Sequence, residues 1–321
     1  MIKMEMLSMT EFILLVGLPG SGKSYVAKHH YPNCTHISSD AIRGELWGDE
    51  NDQRDPTIVF NEMKRRTKEA LARGESVVYD ATNLNSRKRS ALVHEIKNKF
   101  PNVECHCMLI LCSIKECKRR QGQRDRNVPD EVIDRMVRQF EVPYYNEGWN
   151  RIYLINNGPK QNIDKEHSRL LSTAHDNPHH STGSIDSHCT MTFAHLDEAI
   201  RSGDILTVLN KRILLEAAYQ HDVGKRKTKT FVNTKGETTE IAHYYGHENV
   251  GAYLWLTGDK RGEWDELAFL TIGLLIQLHM MPYHTNDKSK EEFVKWCDKR
   301  GYEPWVAEWV WLIHKTDMEA H

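Results

Sequence analysis

Apolar residues in the first half of the chain fall into short solid runs separated by longer stretches with helical spacing. "EFILLVG" (11–17), "CTHIS" (34–38), "SVVYD" (76–80), "VECHCMLILC" (103–112) and "RIYLIN" (151–156) have the length and density of buried strands. Between them, 57–73 repeats its apolar positions as a helix does and stops at Gly74. The stretch 86–100 is amphipathic and stops at Pro101, and 129–141 carries a proline in its first turn. "SGKSYVAKHH" opens a helix after the first run, and "SIKE" (113–116) reads as a capping box opening another through Arg120. Strands alternating with helices predict an α/β domain with a mostly parallel sheet.

The alternation ends near Asn157. The stretch 175–187, "HDNPHHSTGSIDS", is polar and turn-rich, and the chain beyond it reads as nearly all helix. The expected organisation is an α/β domain over 1–158, a linker and start of a second domain over 159–187, and an all-α domain over 188–321. No internal repeat is visible.

With 321 residues, 39% hydrophobic and 27% charged, the chain has the size for two globular domains. No apolar run approaches the roughly 20 residues that span a bilayer. The start, "MIKMEMLSMT", lacks the apolar segment of a signal peptide. These features lead to the expectation of a cytoplasmic protein with no membrane partner. Seven cysteines, none in a CxxC pair, read as reduced thiols, Cys105 and Cys107 among them in a buried strand. A net charge of −2 means that a nucleic-acid partner needs a local basic patch rather than a global excess. The 18 histidines, many beyond residue 160, point to metal chemistry in the second half.

"GLPGSGKS" (17–24) matches GxxxxGK[ST] between a strand and a helix. Gly17, Gly20 and Gly22 let the backbone curl so that its N–H groups face phosphate oxygens, with Ser21 and Tyr25 in the same nucleotide-contacting stretch. Lys23 is placed for the β and γ phosphates and Ser24 for Mg²⁺. Asp40 and Arg43, three apart on a helix turn, suit a general base and a phosphate holder, or a surface cap with a neighbouring arginine. Asp80, at a strand's C-terminal end, suits Mg²⁺ or the acceptor, or alternatively caps the helix over 86–100. Arg120, Arg124 and Arg126 form a basic run able to fold over the nucleotide as a lid.

In the second half, His188, His221, Asp222 and Asp317 offer imidazole and carboxylate ligands on successive helices. His247 and His279 supply a second metal or a phosphate contact, and Lys225 is placed to hold a phosphate oxygen. His36, His94, His195 and His243 take the default reading of satisfied core residues, and 175–180 that of a polar linker.

The first 155 residues or so resemble the phage-type 5′-hydroxyl polynucleotide kinases of RNA repair, on "GLPGSGKS", "SSDAIRGELW", "YDATNLN" and "RRQGQRDRNVP". The resemblance implies a P-loop kinase domain using ATP and Mg²⁺, with Asp40 as general base and Arg43 on the acceptor's 3′-phosphate side. A lid arginine, Arg124 or its neighbours Arg120 and Arg126, would contact the nucleotide phosphates. Residues from about 175 to 321 resemble the HD phosphohydrolase superfamily, nearest to the HD domains attached to tRNA nucleotidyltransferases. The carrying motifs are "HHSTGSIDSHCTM", "HDVGKRKTKTF", "YYGHENVGAYL", "LHMMP" and "HKTDMEAH". This resemblance implies His188, His221, Asp222 and Asp317 as ligands of one divalent metal (Mn²⁺, Ni²⁺, Co²⁺, Fe²⁺ or Mg²⁺), or of two where His247 and His279 join. Together the halves lead to the expectation of an enzyme healing RNA (or DNA) strand ends, the first by 5′ phosphorylation, the second by opening a 2′,3′-cyclic phosphate, removing the remaining phosphate, or both. The alternatives are a small-molecule kinase fused to a nucleotidase, and an ATP-switched binding module.

Overall fold

The computed structural model of the chain describes residues 10–123, 128–176, 183–202, 207–285 and 288–320. The chain divides into two compact units, one reaching to Ile133 and including Pro143–Gly158, the other formed by Asp134–Val142 and Pro159–His321.

The first unit is a five-stranded sheet flanked by helices. In chain order its elements are β1 (Glu11–Val16), α1 (Lys23–His30), β2 (Thr35–Ser38), α2 (Ser39–Trp47), α3 (Pro56–Ala72), β3 (Val77–Asp80), α4 (Ser86–Lys99), β4 (Glu104–Leu111), α5 (Ile114–Gln121), the start of α6 (Asp130–Arg138) and β5 (Arg151–Asn156). The strand order is β2-β3-β1-β4-β5 with every neighbouring pair parallel. Strands covered by helices on both faces bury every side chain, which is why β1 reads as a solid apolar run: Phe12 through Val16 are all fully buried. The register sets Leu15 opposite Asp80, so β1 and β3 finish together and deliver the glycine-rich loop and a carboxylate to the same sheet edge.

Local signals hold with two adjustments. Ser113 caps α5 through the Glu116 N–H, but the Glu116 carboxylate turns to Arg119 and Arg120 instead of closing the box. Helix α4 is capped by Asn85, whose Oδ1 accepts from the Lys88 N–H at 3.0 Å, so Asp80 is not a cap.

Residues 134–142 leave the expected 1–158 division and group with the second unit. There Phe140 packs edge-on against Tyr253 at 5.0 Å, and the Val142 N–H bonds the Gln277 amide oxygen at 2.8 Å. The second unit continues with α7 (Ile163–Ser168), α8 (Ile185–Ser202), α9 (Val208–Gln220), α10 (Lys225–Thr228), β6 (Thr230–Val232), β7 (Thr238–His243), α11 (His247–Leu256), α12 (Glu266–Leu278), α13 (Lys290–Asp298) and α14 (Pro304–Glu319). Part of the expected linker is therefore built structure, with Ile163 and Leu170 fully buried. Nor is the unit all helix. β6 and β7 pair antiparallel around a turn in which Gly236 has φ +85°, because Thr, Val and Ile flank a residue free to take the left-handed region.

One stretch, Glu266–His284, does reach membrane-spanning length with a mean hydropathy of 1.2, against the expectation that none would. Its window is 72% buried within the protein, as for a core helix.

A buried ion pair fastens the first unit. The Arg89 guanidinium on α4 donates to both Glu147 oxygens, at 2.8 and 2.5 Å, and to the Asn83 carbonyl at 2.9 Å. Both partners are at most 2% exposed, and Trp149 Nε1 donates to the same carboxylate. Removing one partner leaves an uncompensated buried charge. Arg89→Met is expected to destabilise this unit by about 3–5 kcal/mol, read as its urea unfolding midpoint. An unchanged midpoint would show that the pair contributes nothing.

Candidate functional sites

The glycine-rich loop comes directly after β1. Gly20 (φ +81°) and Gly22 (φ +96°) take the left-handed conformation. They also sit where a Cβ would collide: with the Cys117 carbonyl oxygen at 2.5 Å for Gly20, and with Asn157 Nδ2 at 1.9 Å for Gly22. The Gly17 N–H bonds the Thr82 carbonyl, and Asn157 Nδ2 donates to the Ser21 carbonyl at 2.7 Å. The loop's cations rest on its own backbone. Lys23 Nζ donates to the Leu18 carbonyl at 2.9 Å and Arg120 to the Gly20 carbonyl at 3.3 Å. The Ser21 hydroxyl is fully buried without a hydrogen-bond partner.

Beside the loop, Asp80 is 4% exposed and accepts from His36 Nε2 at 3.1 Å and from the Ser24 hydroxyl. Burial alone would raise its pKa. The His36 bond, the Lys23 charge and the Ser24 bond outweigh burial and hold it below the usual carboxylate range. On α2, Arg43 Nη1 donates to Asp40 Oδ1 at 2.8 Å; the arginine is 9% exposed and the aspartate 42%. The helix is capped by Ser38, which leaves Asp40 in its first turn. Tyr25 is 59% exposed with its ring stacked on His29. Arg124 and Arg126 lie outside the described residues.

In the second unit, five separate elements converge. His188 comes from α8, His221 and Asp222 from the turn after α9, His247 from the first residue of α11, His279 from the end of α12, and Asp317 from the last turns of α14. All are buried. Nε2 of His188 lies 2.7 Å from Asp317 Oδ1, and Nε2 of His221 lies 3.3 Å from Asp222 Oδ2 and 3.4 Å from Asp317 Oδ1. On the other side, Asp222 Oδ1 faces Nε2 of His247 at 3.2 Å and of His279 at 3.8 Å. Asp222 thus presents one oxygen to each pair of histidines. Lys225 Nζ lies 2.6 Å from Asp222 Oδ2, and Tyr283 donates to Asp317 Oδ2.

The other ring nitrogen of each histidine settles what these groups suit. Nδ1 of His188, His221, His247 and His279 meets the carbonyls of Ala320, Ala218, Tyr244 and Ile276 at 3.1, 2.7, 2.8 and 2.7 Å. A carbonyl only accepts, so each Nδ1 carries the proton and each Nε2 is the atom turned inward. Nε2 of His247 and Nε2 of His279 lie 3.2 Å apart. Inward nitrogens set against each other and against carboxylates call for a proton or a cation between them. Burial would lower His221, but Asp222 and Asp317 overcome this and raise it to about 10. His279 is pushed down to about 3 by burial and by His221 and His247. Protonation is thus favoured at His221 and opposed at His279. The donor set fits two divalent cations sharing Asp222, one against His188, His221 and Asp222, the other against Asp222, His247 and His279.

Gly224 makes this convergence possible. A Cβ there would lie 2.1 Å from the His247 carbonyl oxygen and 2.7 Å from the Gly251 nitrogen, so only glycine lets the two backbones approach.

With both geometries in view, residues 12–143 match the family model described as "AAA domain". The matched stretch lies largely in the first unit and carries its GxxxxGK[ST] loop. A curated relative, "Transcription factor bHLH140" of Arabidopsis thaliana, is 27% identical over 152 residues, 44% of this chain; the match spans 15% of that protein. Among solved structures, a chain of the Pnkp1/Rnl/Hen1 RNA repair complex is similar with a TM-score of 0.36 and 21% identity, covering 43% of this chain and 46% of that one. A gluconokinase from Sinorhizobium meliloti 1021 is similar with a TM-score of 0.33 and 20% identity, covering 46% and 83%.

Several neighbours of these sites carry no local signal in sequence. His36, read as a core residue, holds Asp80. Asn157, beyond the last strand, ties the loop from 136 positions away. His175, read as part of a polar linker, is 2% exposed with its ring 5.4 Å from His188. The glycine of "HDVGK" is the one legible hint, since a residue without a side chain beside His-Asp signals close backbone approach.

Each geometry can be tested. Asp80 has a depressed pKa, so its contribution to stability is present above the ordinary carboxylate value near 4 and disappears as pH falls through the folded value. His36→Ala should therefore destabilise the first unit at neutral pH, with the deficit shrinking below about pH 4. A pH-independent deficit in thermal unfolding would separate His36 from Asp80. For the second unit, metal analysis after Mn²⁺ loading should give two ions per chain. His247→Ala with His279→Ala should reduce this to one, and Asp222→Asn should lower both affinities by at least about ten-fold. A stoichiometry that the double variant leaves unchanged contradicts the shared site.

Proposed function

We propose that the chain heals the two ends of a broken nucleic-acid strand, phosphorylating a 5′-hydroxyl in the first unit and hydrolysing a terminal 2′,3′-cyclic phosphate in the second. The observation that carries the reading is the second site: four histidines anchored through Nδ1, with Nε2 turned onto Asp222 and Asp317, in one chain with a P-loop.

In the first unit, Lys23 and Arg120 exchange backbone carbonyls for the phosphate oxygens of ATP, and Ser24 with Asp80 holds Mg²⁺. His36 keeps the Asp80 carboxylate ionised and oriented. Asp40 accepts the proton of the attacking hydroxyl, and Arg43 orients Asp40 and receives the acceptor's phosphate. The lid role stays with Arg120, Arg124 and Arg126.

In the second unit, His188, His221, Asp222 and Asp317 would hold one divalent ion, and Asp222, His247 and His279 a second. When bound, such ions supply Lewis acidity toward phosphoryl oxygens and a more acidic coordinated water. Lys225 brings positive charge to the edge of the cluster for a phosphate oxygen, and Tyr283 orients Asp317. Burial of the whole set excludes bulk water and strengthens each of these interactions.

The test is mass analysis of both ends of an RNA nicked to leave a 5′-hydroxyl and a 2′,3′-cyclic phosphate, incubated with ATP, Mg²⁺ and Mn²⁺. Both ends should be converted. Lys23→Ala should reduce 5′ phosphorylation by at least about a hundred-fold and spare the cyclic end, and Asp222→Ala should do the reverse. Unconverted ends with the unaltered protein reject the reading. Phosphorylation of free nucleosides or sugars without oligonucleotides would transfer the kinase to small-molecule metabolism.

A further inference from the structure

We propose that the β6–β7 hairpin is a platform on which the bases of a single-stranded nucleic acid stack as its end enters the second site; this rests on the hydrolase reading above and names the substrate as a polynucleotide rather than a mononucleotide. The hairpin exposes apolar surface that a soluble unit ordinarily covers. Phe231 is 39% exposed, Val232 43%, Ile241 42% and Tyr245 41%. Two of these are aromatic, and the His243 and Tyr245 rings are already stacked, 5.3 Å apart and within 10° of parallel. Flat, exposed, preordered rings offer a face to any base.

Charge complements this surface. From Arg226 to His243 there are four Lys and Arg residues to two acidic ones, Glu237 and Glu240, with all four basic residues at 226–235 and both acidic ones after them. Lys229 Nζ sits over the Phe231 ring at 5.8 Å, a cation beside the stacking surface. Lys227 and Lys229 pair with Glu166 and Asp176, ion pairs at the surface that phosphates can displace at little cost, while Arg226 and Lys235 are exposed. The platform is also continuous with the chemistry. β7 runs directly into Tyr244, whose ring covers Lys225 at 5.4 Å, and then into His247.

The test uses the full chain with Phe231→Ala and Tyr245→Ala combined, surface changes that leave the metal cluster untouched. The substrates are a short single-stranded oligonucleotide ending in a 2′,3′-cyclic phosphate and the corresponding cyclic mononucleotide. The double variant should raise KM for the oligonucleotide by about ten-fold or more, leaving kcat and mononucleotide hydrolysis unchanged. A thiouridine-bearing oligonucleotide, irradiated and mapped by peptide mass, should crosslink to the hairpin in the unaltered protein and lose that crosslink in the variant. Crosslinks confined to other segments, or an unchanged oligonucleotide KM, would overturn the proposal and leave the hairpin to a protein partner. If neither substrate is hydrolysed but the hairpin crosslink forms and is lost in the variant, the platform stands and the hydrolase reading falls.

Discussion

Two carboxylates and four imidazoles cannot be buried together unless positive charge lies among them. Asp222 is 1% exposed and Asp317 5%, and transferring a carboxylate into such surroundings is costly unless it is paired. The second unit answers in two ways. Lys225 and a protonated His221 compensate one oxygen of Asp222, and both carboxylates are held well below their ordinary pKa despite the burial that opposes it. The oxygen facing His247 and His279 has the His247 hydrogen bond alone, because His279 is driven away from protonation. A divalent cation would complete that side without a further proton. The demand reaches the backbone: the Gly224 contact brings the His247 carbonyl against the turn carrying Asp222, so any side chain there would drive the two ligand sets apart.

The first unit solves the opposite problem. Its loop turns through two left-handed glycines, and Lys23 and Arg120 are held on its carbonyl oxygens. Lys23 and Arg120 each use a bond to the loop's own backbone, a neutral partner that an incoming phosphate outcompetes through charge. The framework does not depend on those bonds, because Asn83, Asn157 and the Arg89–Glu147 pair brace the loop and its neighbours from outside. The site is preorganised, so its cations move and its backbone need not.

What sequence reveals depends on whether a constraint is periodic and local or arises between distant residues. The buried strands are legible because covered parallel strands have no polar face, and the loop because its glycines, lysine and serine occupy fixed spacing before a helix. The His-Asp dipeptide gains meaning from its companions on other helices, and the structure does bring His188, His221, Asp222, His247, His279 and Asp317 together. The hairpin escapes notice because its threonines and lysines resemble polar connection, and short strands with exposed apolar residues leave no core pattern to detect. His36 and Asn157 are illegible for another reason. Their roles lie in single hydrogen bonds to Asp80 and the Ser21 carbonyl, across 44 and 136 positions, which no local composition records.

The two sites share a physical partner despite opposite polarity. A cradle of N–H groups and cations is completed by an anion, and a pocket of lone pairs and carboxylates by a cation. A phosphate accompanied by a divalent ion would supply the missing charge to both: under the proposed function Ser24 and Asp80 would hold the metal in the first site, and Lys225 would meet a phosphate oxygen in the second. Phosphoester chemistry is therefore the class of reaction that the proposed function assigns to both sets of residues. Under that proposal the acceptor in the first site would be selected by Asp40 and Arg43, and the ester in the second by the exposed aromatic hairpin.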